Sequence, residues 1–114
     1  MSTRCLIAIA KDGYYLSIYC HHDGYDADHG VGPTLRAHYN SAELAADLIE
    51  LGDISYLQSD KACAYHRDRG DAWAQTQPKR TTSESQLLAL AQACDADYLY
   101  LWEPEGWESR RLRR

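Results

Sequence analysis

The stretch Arg4-Cys5-Leu6-Ile7-Ala8-Ile9-Ala10-Lys11-Asp12-Gly13-Tyr14-Tyr15-Leu16-Ser17-Ile18-Tyr19-Cys20 decides the fold class. Arg4–Ala10 and Tyr14–Cys20 are runs of β-forming residues, and Lys11-Asp12-Gly13 separates them. Asp-Gly between two such runs is a strong hairpin signal, because glycine tolerates the positive φ that a tight turn demands. Alternation along the second run puts Tyr14, Leu16, Ile18 and Cys20 on one face and Tyr15, Ser17 and Tyr19 on the other. The first set reads as the core face.

Beyond Cys20 the pattern breaks into His, Asp and Gly through Gly32, which is a loop. Pro33 suits the first turn of a short helix that runs to about Tyr39. Asn40, three residues ahead of Glu43, resembles a capping box for a helix over Ala42–Leu51. Leu44, Ala45, Leu48, Ile49 and Leu51 form its apolar stripe, and Gly52 stops it. Ile54–Leu57 is expected to form one turn against the core. Cys63–His66 reads as a short strand, Arg67–Asp71 as a charged turn, and Ala72–Arg80 as an irregular connection. Thr82, Ser83 and Glu84 open a second long helix through Ala93, with Leu87, Leu88, Leu90 and Ala91 inward. Asp97–Trp102 is a strand, Pro104-Glu105-Gly106 a turn, and Trp107–Leu112 an edge strand. The order β-β-α-α-β-α-β-β predicts an α+β fold, with a mainly antiparallel sheet and helices packed on one face.

The 114 residues suit a single domain, residues 1–114, ending in a short basic tail, residues 110–114. Hydrophobic residues make up 45% of the chain, enough for a core, and nine Tyr and three Trp stand beside no Phe at all. The short apolar run Cys5–Ala10 is neither a signal peptide nor a membrane span, so the expectation is a cytoplasmic protein with no membrane partner. Cys5, Cys20, Cys63 and Cys94 contain no Cys-x-x-Cys pair and are expected to be reduced, inert thiols.

The formal net charge is −5. Setting aside Arg110, Arg111, Arg113 and Arg114 takes the 12 basic residues to eight against 17 acidic ones, so the rest of the chain stands at −9. An acidic body repels phosphates, and direct duplex DNA binding is not expected.

Two segments concentrate chemistry. The first runs Cys20-His21-His22-Asp23-Gly24-Tyr25-Asp26-Ala27-Asp28-His29. Imidazoles and carboxylates can ligate zinc, manganese or iron, yet the spacing matches no metal motif, and strand alternation lets His21 and Asp23 converge while His22 points away. The same residues also suit a polar loop whose aspartates cap turns. Gly24, Gly30 and Gly32, ahead of a helix start, can present N–H groups to an anion. The second segment is Tyr65-His66-Arg67-Asp68-Arg69-Gly70-Asp71. Its arginines can grip carboxylate or phosphate, or pair with their own aspartates. No complete catalytic set and no cofactor motif can be assembled.

Met1-Ser2-Thr3-Arg4, Tyr19-Cys20-His21-His22-Asp23-Gly24-Tyr25, Leu48-Ile49-Glu50-Leu51-Gly52-Asp53-Ile54-Ser55-Tyr56-Leu57 and Tyr65-His66-Arg67-Asp68-Arg69-Gly70 together resemble a family of small proteins encoded by bacteriophages, prophages and plasmids. The similarity covers roughly residues 1–70 and carries no catalytic residue with it. It implies a phage accessory product, a class in which small acidic proteins often resemble host-defence inhibitors such as anti-CRISPR proteins. The expectation is a non-enzymatic binding protein that blocks a host protein or nucleoprotein complex. Its recognition edge would contain His21, His22, Asp23, Tyr25, Asp26, Asp28, Arg67, Asp68 and Arg69. The alternative is a sponge for phosphorylated small molecules or nucleotides, or a metal-dependent hydrolase, with Arg4, Arg67 and Arg69 on phosphate and His21, His22 or His66 as acid–base or metal groups. Both expectations need the polar loop and the Arg67–Asp71 turn at the same end of one sheet.

Overall fold

A computed structural model describes residues 3–112. Met1 and Ser2 of the opening motif, and Arg113 and Arg114 of the basic tail, lie outside the described residues.

The opening hairpin forms as its sequence demands. Strands β1 (Cys5–Lys11) and β2 (Tyr14–Cys20) pair antiparallel from Lys11↔Tyr14 to Cys5↔Cys20, and Gly13 takes the positive φ of the turn, +81°. Helices α1 (Val31–His38) and α2 (Ala42–Glu50) follow the polar loop. Ser41, one residue later than expected, caps α2 by accepting the Leu44 N–H at 3.1 Å, and Gly52 ends it at φ +78°. Next come β3 (Ile54–Leu57), β4 (Ala62–Ala64), a single helical turn α3 (Trp73–Thr76) and β5 (Lys79–Thr81). Helix α4 (Glu84–Ala93), capped by Ser83 on the Gln86 N–H, leads to the hairpin β6 (Tyr98–Glu103) and β7 (Gly106–Arg111).

The fold is α+β, but the sheet is mixed rather than mainly antiparallel. Seven strands run in the order β4-β3-β2-β1-β6-β7, with β5 also on β2. The β1–β6 and β2–β3 pairings are parallel; β1–β2, β2–β5, β3–β4 and β6–β7 are antiparallel. Ile54–Leu57 is a strand instead of a helical turn, because it lies between β2 and β4 with Ile54, Ser55 and Leu57 all buried. Lys79–Thr81 is a strand inside the stretch read as irregular. It shows no apolar pattern, because backbone pairing to Tyr15, Leu16 and Ser17 holds it rather than burial.

Helices cover both faces of the sheet, which corrects the expectation of one. On one face Cys5, Ile7, Ile9, Ile18, Cys20 and Tyr100 pack against Val31 and Leu35 of α1 and Ala45, Leu48 and Ile49 of α2. On the other, Leu6, Ala8, Leu99 and Leu101 pack against Leu87 and Ala91 of α4. A central strand buried on both sides needs apolar residues at every position, and Cys5–Ile9 supplies them. The supposed solvent face of β2 is covered as well, with Ser17 buried. Leu44, assigned to the α2 stripe, is exposed instead.

Candidate functional site

The polar loop leaves β2 at Cys20 and enters α1 at Val31. Its start is stitched to β3 by His21 N–H to Ile54 O (3.2 Å) and His22 N–H to Ser55 O (2.8 Å). The Gly24 N–H reaches Thr3 O at 2.8 Å, and the buried Tyr100 hydroxyl donates to Gly24 O at 2.8 Å. Asp26 binds Arg36 of α1 and accepts from Ser109 of β7, which holds its carboxyl below the usual range. Asp28 is exposed, and Tyr25 is half-buried with its carbonyl accepting from Gly32 N–H.

The loop glycines serve close packing. A Cβ on Gly24 would stand 2.9 Å from the Cys5 backbone, on Gly30 2.1 Å from Tyr25 O, and on Gly32 2.1 Å from Asp26 Oδ1. Nor is the start of α1 open to an anion. Val31 N–H goes to Asp23 O, Gly32 N–H to Tyr25 O, Thr34 N–H to Gly30 O, and Pro33 has none. Those amides are the groups an anion would need, and the N–H groups of Gly24, Gly30 and Gly32 are all taken by backbone carbonyls instead.

The Arg67–Asp71 turn follows β4, whose Ala64 stands opposite Ile54 at the start of β3, whereas the loop runs beside Ile54 and Ser55 toward the β3–β4 turn. Asp53 ties the end of β2 to the residue that follows β4: its Oδ1 accepts the Tyr19 N–H at 2.9 Å, and its carbonyl accepts the Tyr65 N–H at 3.0 Å. Arg67, however, is committed within its own turn. It grips both oxygens of Asp68 at 2.8–3.1 Å and donates to Ala62 O at 2.7 Å. Asp68 also accepts from Ala64 N–H, and the hydrogen bond from the Arg67 guanidinium holds its carboxyl below the usual carboxylate range. Arg69 lies over the Tyr65 ring at 5.4 Å.

The histidines are dispersed. Tyr19 and His21 project to the α4 face, where the Tyr19 hydroxyl meets His21 Nδ1 at 2.8 Å. Partial burial lowers the His21 pKa, with His22 and Arg4 adding to the effect, while burial pushes Tyr19 up to about 12. His66 Nδ1 lies 2.8 Å from Asp71 O, and its ring stands edge-on to Trp73. Among the described residues no three His, Cys, Asp or Glu side chains converge closely enough to hold a metal ion.

What the fold does build is a cleft of about 740 Å³ between the loop, α1 and the β3–β4 turn. His22 and Asp23 line it from the loop, joined by His29, Thr34, His38, Tyr56 and Asp60. Tyr39 donates its hydroxyl to Gln58 O at 3.3 Å, tying the end of α1 to that turn. Of the expected site residues, His22 and Asp23 enter this cleft; His21, Tyr25, Asp26, Asp28, Arg67, Asp68 and Arg69 do not. Thr34 and His38 were legible as one helical face, being four apart. Tyr56 and Asp60 were not, since their hairpin was read as a turn.

A second, smaller hollow of about 210 Å³ opens where the outer edge of β2 passes from β5 to β3, lined by Leu6, Ser17, Tyr19, Asp53, Lys79 and Cys94. Burial raises the Asp53 and Cys94 pKa values, so that thiol is no ready nucleophile.

No protein-family model, no curated protein and no solved structure matches this chain.

Proposed function

We propose that the protein is a non-enzymatic binding protein of a mobile genetic element, and that it blocks a host protein or nucleoprotein by engaging it through the cleft beside α1. The observation that carries this reading is the cleft itself. It joins three histidines and two carboxylates to Tyr56 and Thr34, and among the described residues no lysine or arginine lines it. A surface of that charge suits a neutral or basic protein segment and disfavours a phosphate. The phosphate-binding alternative loses support from the engagement of Arg67 by Asp68 and of the α1 amides by loop carbonyls. Its metal-dependent form lacks a ligand cluster among the described residues. An acidic body of −9, with the basic tail set aside, supports steering toward a basic host surface.

The test is capture on immobilised protein from extracts with and without host-defence nucleoprotein complexes. The expected result is one stoichiometric partner, retained by the Gln92→Arg variant on α4 and lost by Ala37→Arg in the cleft wall. Absence of any stoichiometric partner, or equal retention by both variants, overturns the proposal.

A further inference from the structure

Strand β7 ends the sheet: among the described residues it pairs with β6 alone. Leu112 donates its N–H to Asp97 O at 2.8 Å, toward β6. Antiparallel backbone alternates in direction, so Arg110 and Glu108 also turn their amides inward, while Ser109 and Trp107 turn theirs outward. Side chains alternate too. Trp107 packs on the α1-side core and Ser109 donates to Asp26. Glu108 and Arg110 share the α4 face, where Arg110 meets Glu108 at 3.1 Å and Glu84 at 3.5 Å.

Charged residues on an edge strand ordinarily discourage pairing between molecules. Here the two signs stand symmetrically about Ser109, and that symmetry reverses the effect in one arrangement. We propose that the outer edge of β7 pairs antiparallel with the same edge of a second copy of this chain, about a two-fold axis at Ser109. Ser109 and the partner's Ser109 then exchange both backbone hydrogen bonds. Glu108 falls opposite the partner's Arg110, and Arg110 opposite the partner's Glu108. These are non-hydrogen-bonded positions, where facing residues approach to about 4.5 Å between Cα atoms. The contact is isologous and occupies the edge that makes it, so it closes at two copies. A parallel pairing in register would set like charges together and is disfavoured by the same residues.

Sedimentation velocity over a concentration series tests the pairing. The unaltered chain is expected to move from monomer mass to twice that mass as concentration rises, less readily at high salt. Glu108→Arg and Arg110→Glu each place like charges across the axis and are expected to remain monomeric. An equimolar mixture of the two restores both opposite-charge pairs and returns to twice the mass, a rescue that a misfolded chain cannot give. Ser109→Pro removes the outward N–H without taking a bond from β6, and is expected to be monomeric. The proposal is overturned by an unaltered chain that stays at monomer mass throughout. It is equally overturned by a dimer indifferent to the single reversals, or by a mixture that fails to reassociate.

Discussion

The Tyr100 hydroxyl and the Gly24 carbonyl meet at 2.8 Å beneath the surface, fastening the polar loop to the middle of the sheet. Tyr100 is fully buried and stands beside Ile7 of β1 in their parallel register. Burial drives its pKa far up, so the hydroxyl remains a donor under all ordinary conditions. The loop that forms one wall of the cleft is thereby set by the core.

Removing that hydroxyl with Tyr100→Phe leaves a buried carbonyl without its donor, and such a group costs about 1–3 kcal/mol. Urea denaturation is expected to show a loss in this range, with the slope of the transition unchanged. An undiminished midpoint would mean that water replaces the bond and that the loop is not anchored from below.

Gly30 gives a second handle on the loop. Its Cβ would lie 2.1 Å from Tyr25 O, a backbone atom that cannot swing away. Gly30→Ala is therefore expected to cost about 3 kcal/mol, near the upper end of overpacking effects. At Gly13 a Cβ meets nothing within 4 Å, and only the positive φ resists substitution, a penalty of about 1 kcal/mol. Thermal denaturation of the two variants side by side checks the ranking.

The local signals in the sequence were stronger than the global ones. Asp12-Gly13 located the hairpin and Gly52 the end of α2, because both report on backbone geometry within a few residues. What alternation on β2 could not reveal was a second layer. Ser17 looks solvent-facing by its polarity, yet it is buried, with its hydroxyl 3.5 Å from Lys79 O of β5. The unbroken apolar run Cys5–Ile9 was the available sign of a strand covered on both faces, and it implies a parallel neighbour as readily as an antiparallel one. β5 left no sign, since Lys79 and Arg80 are exposed and bound through their backbone. Arg67 was visible as a candidate, but only coordinates show that its Nε and Nη2 are engaged by the neighbouring Asp68 and by Ala62 O.

Asp26 should make stability fall in acid. Its pairing with Arg36 and Ser109 lowers the folded pKa below the unfolded one. The stabilisation is complete above the ordinary carboxylate pKa, about 3.9, and disappears as pH falls through the lowered folded value. Arg36 is 45% exposed, so solvent screening holds the contribution to about 1 kcal/mol or less. Asp26→Asn is expected to be less stable than the unaltered chain near neutrality, the difference closing as pH drops below 3.9. A difference that stays constant across the titration would assign Asp26 a role independent of its charge.

Asp53 runs the other way. It fills the gap between β5 and β3 by accepting the Tyr19 N–H on Oδ1, with Lys79 Nζ 3.9 Å from Oδ2. Burial nevertheless outweighs both contacts and raises its pKa. A raised folded pKa means that the favourable contribution is present below the unfolded value and lost as pH rises through the folded one. Ionised Asp53 is therefore a cost near neutrality, while its role as an acceptor is a gain. Asp53→Asn keeps an oxygen for Tyr19 and sheds the buried charge, so it is expected to lie within about 1 kcal/mol of the unaltered chain and to gain on it as pH rises. Asp53→Ala leaves the Tyr19 amide without its acceptor and is expected to cost about 1–3 kcal/mol. Urea midpoints for the two variants across the carboxylate range separate the effects. Equal losses for both would show that the charge, rather than the hydrogen bond, is what stabilises this junction.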